Sequence, residues 1–234
     1  MDANNNLQNK NLTQARSEIT RDWKGEFPGL KIERPLSLLR RVGPLLVGVY
    51  LDRFSTTSYR PTFYVHFLGN SEDGLSLTMR TEFTPTPEME VPVIEVSAHK
   101  RFYKEAARLL REAAPLSIEG PLTVKEVLEA YRTFSRTCKG ESQLANLYQD
   151  AIKLATCYGF TDEAKGLLGE IMERTEGDRK FYHHGGREAY IERMREAIGN
   201  PGKIWQTLDE EIIRHKVEKI PFEEFVGGVP FGRT

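Results

Sequence analysis

The sequence predicts an α+β fold, in which an N-terminal antiparallel four-stranded sheet with flanking helices is followed by an all-helical C-terminal region. Between residues 45 and 96, apolar residues recur at every second position, which is the period of a strand. From His99 onward they recur at helical spacing. The strand segments are joined by short connections, which favours antiparallel pairing because parallel strands need long crossovers. Strands followed by helices argue against a doubly wound α/β fold.

Two short helices are predicted before the sheet. Residues 1–12 are rich in asparagine and contain little that could be buried, so we expect a mobile leader there. Ile19 and Trp23 lie at helical spacing and predict a helix over about 13–24. Pro35 is typical of a first helical turn, and it predicts a second helix over 36–42.

Four segments have the alternation and the β-forming residues of strands. In the clearest of them, Leu75, Leu77 and Met79 alternate with polar side chains. The turn-forming residues 70–74 precede it, which predicts a hairpin with the strand before. The predicted strands cover residues 45–51, 63–68, 75–83 and 91–96.

After the sheet the sequence predicts successive helices. The first begins at His99 and is ended by Pro115. Thr123 and Glu126 have the spacing of a capping box, which predicts a helix from 123 through 134. Thr161 is expected to cap a later helix. The remaining predicted helices cover about 143–158, 161–171, 188–198 and 204–217.

These elements divide the chain into a leader (1–12), an α+β domain (13–118), a helical domain (119–220) and a tail (221–234). The tail carries Phe222, Phe225 and Phe231 among glycines. Because three phenylalanines would otherwise face water, we expect the tail to dock on its own protein.

Charge and composition narrow the classes of partner. The 33 basic and 34 acidic residues nearly cancel, and successive segments alternate in sign without a strongly basic block. This pattern disfavours nucleic-acid binding. The chain has no apolar run long enough for a membrane span and no signal-like start, so we expect no membrane association and a cytoplasmic location. Only two cysteines fit a reducing compartment.

Sequence motifs for common catalytic chemistries are absent. The chain contains no G-x-x-x-x-G-K-[ST], no G-x-G-x-x-G and no G-x-S-x-G, and we expect no cofactor. His183 and His184 precede two glycines and are the weak candidates for a metal site. Neighbouring side chains point apart in regular structure, so no metal is assigned to them. A metal-assisted hydrolase or other enzyme centred on these histidines is the alternative to a binding function.

The predicted contacts with a partner centre on a basic pair. Arg40 and Arg41 form a basic cluster that precedes a strand and could bind phosphate or an acidic partner. If the partner is basic, the contacts would instead come from Asp and Glu residues within 161–224. Tyr64, together with Tyr50 and Tyr59, is expected at the surface, where tyrosine often anchors an interface. The sequence therefore predicts stoichiometric binding to another protein through Arg40, Arg41 and Tyr64.

Two segments resemble known families. Residues 154–164, LATCYGFTDEA, resemble part of a tetratricopeptide hairpin, which implies an antiparallel helix pair over about 30 residues. The tyrosine and glycine are adjacent instead of spaced, and no second copy follows at the expected period. Residues 34–45, RPLSLLRRVGPL, running into two aromatic strands, are similar to bacterial immunity proteins. That resemblance implies that the protein neutralises a cognate toxin by binding it.

Overall fold

The computed structural model describes residues 7, 10–71, 77–138, 141–175, 181 and 184–233. A sheet dominates the N-terminal half and the C-terminal region is helical, which confirms the predicted α+β class. The helices are α1 (Leu12–Glu26), α2 (His99–Ala113), α3 (Val124–Thr137), α4 (Glu141–Cys157), α5 (Thr161–Arg174), α6 (Arg187–Gly199) and α7 (Pro201–Arg214). The strands are β1 (Lys31–Arg34), β2 (Ser37–Val42), β3 (Leu45–Arg53), β4 (Ser58–Phe67), β5 (Met79–Glu82), β6 (Ile94–Glu95) and β7 (Phe222–Glu223).

The strands form one sheet with the order β1-β2-β3-β4-β5. Strand β6 pairs antiparallel with the start of β4, and β7 from the far end of the chain pairs in parallel with β2. The four predicted strands correspond to β3, β4, β5 and β6, and the sheet also contains β1, β2 and β7. The predicted turn over 70–74 lies partly outside the described residues, and the strands on either side pair antiparallel as a hairpin requires.

The helix predicted over 36–42 is wrong, because these residues form strand β2. Leu36 has φ of 70°, so the chain turns there and does not begin a helix. Gly43, with φ of 54°, makes the turn into β3. Every residue of β2 pairs with β3, and this tertiary pairing overrides the local preference that Pro35 suggested.

The two faces of the sheet are covered differently. One face carries Phe63 and Tyr59, and helices α1 and α2 pack on it. Trp23 of α1 donates from its indole Nε1 to the Tyr59 hydroxyl at 3.0 Å. The other face carries His66, whose ring centroid lies 5.6 Å from that of His215 at the end of α7. The end of α7 therefore lies against the second face.

Helix α4 is central to the helical region and contacts α3, α5, α6 and α7. The Tyr148 hydroxyl of α4 lies 3.3 Å from Glu170 near the end of α5, so the two helices run antiparallel, as the sequence implied. Thr123 and Glu126 form the predicted capping box of α3. The expectation that Thr161 caps α5 is wrong, because Phe160 occupies that position and provides no side-chain cap.

The C-terminal tail docks on the protein, as expected. Besides the β7 pairing, the Val226 amide donates to the Leu122 carbonyl at 2.9 Å, and the Phe231 amide donates to the Cys157 carbonyl at 2.7 Å. Phe225 is buried and its ring meets Tyr158 edge-on at 5.2 Å. These contacts tie the end of the chain to both the sheet and the helical region.

The division of the chain at about residue 118 stays a prediction. Most of the expected leader lies outside the described residues; within it, Leu7 is buried and Asn11 caps α1. None of the helices in the described ranges combines the length and apolar character that a membrane crossing requires.

Candidate interaction surface

Arg40 does not lie on the surface. Its side chain is 3% exposed and forms an ion pair with Glu223 of β7 at 2.9 Å. The guanidinium also donates to the carbonyls of Ser117, Glu119 and Gly120 at 3.1, 3.3 and 2.6 Å. Burial lowers the pKa of Arg40 and the Glu223 carboxylate opposes that change. The expectation of an exposed Arg40 is therefore wrong, since the side chain joins β2 to the 117–120 segment and to the tail.

The expected exposure of Tyr59 and Tyr64 is also wrong. Both side chains are almost completely shielded from solvent, and burial raises the pKa of each hydroxyl well above its usual value. Tyr64 points to the same sheet face as Arg41, opposite Gly48 of the neighbouring strand. Tyr50 is the one of the three predicted tyrosines that stays partly exposed.

Arg41 points away from Arg40, because successive residues of a strand face opposite sides of the sheet. Its guanidinium carbon lies 5.0 Å from the ring centre of Phe222, which is 41% exposed. Burial lowers the pKa of Arg41, nearby Arg233 lowers it further, and Asp209 raises it. Within the described ranges no carboxylate forms an ion pair with Arg41, and its shielded Nε has no hydrogen-bond acceptor. Arg41 is thus a partly exposed cation that forms no ion pair with a carboxylate of the described chain.

A surface around Arg41 combines arginine with exposed apolar side chains. Arg233 lies over the Trp205 ring at 4.9 Å and pairs with Asp209 at 3.2 Å. The Trp205 indole donates to the Phe231 carbonyl at 2.9 Å, and a cleft of about 730 Å³ runs beside it. Ile213 and Phe231 are 66% and 53% exposed. We call this surface the C-terminal face; it comprises Arg41, Trp205, Asp209, Ile213, Phe222, Phe231 and Arg233.

A buried glutamate, Glu211, lies on α7 beneath this face with two basic neighbours at the end of the same helix. The Glu211 side chain is 1% exposed and lies 3.2 Å from His215 and 3.1 Å from Arg214. His215 in turn meets His66 of β4, which is fully buried. The His66–His215 contact joins the end of α7 to the sheet, and Asp209 and Ile213 of the C-terminal face lie on the same helix.

The histidine pair of the alternative enzyme hypothesis is only partly described. His183 lies outside the described residues. The His184 ring meets Tyr190 edge-on at 5.2 Å, and its carbonyl accepts a hydrogen bond from Arg193 at 2.8 Å. In the part of the chain that the structure describes, no three His, Cys, Asp or Glu side chains are grouped so that they could hold a metal ion. The described contacts of His184 are thus a ring contact with Tyr190 and a hydrogen bond to its backbone carbonyl.

An Asp–His–Tyr chain lies in the interior between α1, α2 and β4. His99 joins the Asp22 carboxylate at 2.8 Å to the Tyr59 hydroxyl at 2.7 Å. Burial lowers the pKa of His99, although Asp22 opposes that change, so the imidazole is neutral at pH 7. The neutral ring donates from Nε2 to Asp22 and accepts at Nδ1 from Tyr59. Because Tyr59 is fully buried, this chain has a packing role and does not present its hydroxyl to a substrate.

The thiol of Cys157 is not activated. Neither Cys157 nor Cys138 forms a disulfide, and burial raises the pKa of Cys157 to about 12. A thiol with a raised pKa is a poor nucleophile, because the thiolate is the reactive form.

Comparison of the chain with models of protein families, with curated proteins and with solved structures finds no match. The C-terminal face itself depends on residues far apart in the sequence. Two local signals in the sequence indicate part of it: the Arg40–Arg41 basic pair and the phenylalanines of the tail, of which Phe222 contacts Arg41.

Proposed function

We propose that this protein functions by stoichiometric binding to another protein, and that the C-terminal face is its contact surface. The observation that carries the proposal is Arg41. Arg41 is partly exposed, forms no ion pair with a carboxylate of the described chain and lies beside the exposed Phe222. A carboxylate supplied by a partner would pair with the exposed part of this guanidinium.

The chemistry of the face indicates an acidic partner. Arginine binds carboxylates through two parallel hydrogen bonds, and these are stronger than neutral ones. Arg233 lies close enough to lower the pKa of Arg41, and Asp209 is the carboxylate that acts on both guanidiniums. One further carboxylate from a partner would balance the second cation. We therefore propose a partner that presents Asp or Glu beside an apolar group.

The residue types on the face are also those that are common at the centre of protein–protein interfaces. Arginine and large aromatic residues are enriched among the residues that contribute most to protein binding. Here Arg41 lies over the exposed Phe222, and Ile213 and Phe231 expose apolar surface on the same face. Trp205, which lies under Arg233, is only 3% exposed and supports the face from beneath. The Arg41–Phe222 pair offers contact area and charge at a fixed position.

Neutralisation of a toxin is the narrower form of this proposal. Its support is the resemblance of residues 34–45 to bacterial immunity proteins, and this segment contains Arg41. It requires the captured partner to be a toxic enzyme whose activity falls when the complex forms. No described contact of His184 favours the enzyme alternative.

Affinity capture from an extract of the producing cells tests the proposal. The unmodified protein and matched charge variants are used as bait, and the partners that each retains are compared. Arg41→Glu should lose a stoichiometric partner that the unmodified protein retains, because a carboxylate at this position repels an acidic partner. Arg21→Glu is the control, since Arg21 is exposed on α1, away from the C-terminal face. Equal capture by both variants would contradict the proposal. Self-association lost in Arg41→Glu would instead identify a second copy of this chain as the occupant.

A further inference from the structure

The C-terminal tail is joined to helix α7 through a strained turn. The helix ends at Arg214, and the Lys216 and Val217 amides donate to the carbonyls of Ile213 and Ile212, both at 3.1 Å. Helix ends with this hydrogen-bond pattern usually have glycine at the position of Lys216, because the residue there is left-handed. Lys216 has φ of 55°, which is unfavourable for a residue with a Cβ. The turn therefore stores strain at one exposed residue.

The segment that follows this turn, residues 217–233, docks on parts of the chain that are distant in sequence. Its apolar anchors Val217, Ile220 and Phe225 are buried. The Phe225 ring meets Tyr158 of α4, and β7 pairs with β2. A second copy of the chain presents the same docking surface, so the segment can make the same contacts on either copy.

The docked tail leaves several of its own apolar side chains in water. Val226 and Val229 are 57% and 77% exposed, and Phe222 is 41% exposed. Exposed apolar groups that lie close together are typical of surfaces that contact another chain. Contact between two tails would remove such side chains from water.

We propose that two copies of this chain exchange residues 217–233, with Lys216 as the hinge. If Lys216 takes an ordinary helical φ, α7 continues and carries the segment away from its own copy. Both copies then lose the strain of the turn, and each segment recovers its contacts on the other copy. Short, strained connections favour this kind of exchange.

The exchange would build the C-terminal face from two copies. Phe222 and Arg233 of one copy would lie beside Arg41 of the other. The inference does not rest on the protein-binding proposal, because its tests need only the purified chain.

Size-exclusion chromatography with light scattering, after incubation of the full chain at millimolar concentration, tests the exchange. Lys216→Gly should weaken dimerisation by about tenfold or more, because glycine adopts a positive φ without strain and stabilises the closed turn in both copies. Lys216→Val should strengthen dimerisation, because a β-branched residue tolerates a positive φ poorly. Glu90→Val is the matched control, since Glu90 is also exposed with a positive φ, of 59°, and lies outside the hinge.

A disulfide identifies the copy on which each tail docks. A Cβ added at Gly159 would lie 3.6 Å from the Cβ of Phe231, which suits a disulfide. After oxidation of the Gly159→Cys/Phe231→Cys variant, an exchanged dimer is joined covalently and keeps its dimeric mass in denaturant without reductant. The Lys216 variants decide the result if this double variant does not fold.

Three results would overturn the proposal. The first is a dimer that separates into monomers in denaturant although the disulfide has formed. The second is a full chain that stays monomeric at millimolar concentration both unmodified and as Lys216→Val. The third is an equal gain in dimerisation from Glu90→Val and Lys216→Val.

Discussion

Arg40 and Glu223 lie 183 residues apart in the chain and form an ion pair at 2.9 Å between the second strand and the C-terminal tail. The same guanidinium binds three carbonyls of the 117–120 segment. One buried cation thus joins three distant parts of the sequence. On the opposite face of the same strand, Arg41 has no such carboxylate in the described chain.

Arg40→Met is expected to lower the free energy of unfolding by about 3–5 kcal/mol, because it leaves the remaining polar groups of a buried charged network without partners. Glu223→Gln should cost less, because the Glu223 side chain is 43% exposed and the glutamine can still accept a hydrogen bond. Chemical denaturation monitored by tryptophan fluorescence measures both. A loss below about 1 kcal/mol for Arg40→Met, which is typical of a surface pair, would contradict this assignment.

Gly43→Ala is expected to loosen the tail. Gly43 has φ of 54°, and an added Cβ would lie 2.5 Å from the Tyr158 hydroxyl and 2.7 Å from the Phe225 ring. Such overpacking should lower the free energy of unfolding by about 1–3 kcal/mol. Gly227→Ala is the matched control, because Gly227 also has a positive φ, of 66°, and nothing lies within 4 Å of its added Cβ. The control should show only the smaller cost of the positive φ, and equal effects of the two changes would refute the predicted crowding.

Stability should fall as the pH drops below about 6.5. The pKa of His99 is lowered from 6.5, so the unfolded chain takes up a proton in this range while the folded chain does not. A second loss of stability should follow below a pH of about 3.8. Burial raises the pKa of Asp22, but hydrogen bonds to Lys100 and His99 outweigh this effect, so that the pKa is lowered from 3.8. Denaturation at a series of pH values measures both. His99→Gln should remove most of the first loss, and an unchanged profile in that variant would exclude His99 as its source.

Limited proteolysis tests the predicted boundary between the α+β and helical parts. If the two parts are separate domains, the first cut should fall between residues 114 and 122 or in the leader, and a cut within 117–120 requires the Arg40 hydrogen bonds to open. Mass spectrometry of the fragments identifies the ends. Stable fragments that end within 45–67 would contradict the boundary, since those ends would lie inside paired strands β3 and β4.

Several elements could be predicted from the sequence because their determinants are local. The capping box of Thr123 and Glu126 and the apolar spacing along α4 depend on neighbours a few residues away. Strand β2 could not be predicted in this way, because its conformation depends on pairing with β3. The burial of Arg40 depends on groups 77 to 183 residues away, so its sequence context suggested a surface cation.

The candidate site was predicted in part. The basic pair predicts Arg41 as a contact residue, and the structure places it beside Phe222 with part of its surface exposed. Tyr64, predicted with it, is buried, because both faces of a central strand can be covered. No local pattern predicts Trp205 and Arg233, since only the docking of the tail brings them together.

Amide hydrogen exchange of the full chain, with and without an excess of the captured partner, tests the central claim most directly. If the C-terminal face is the contact surface, the partner should slow exchange in residues 222–233 and around Ile213 of α7. Amides of β5 and β6, on the other edge of the sheet, should exchange as before. Protection confined to β5 and β6, with none in the tail, would contradict the account.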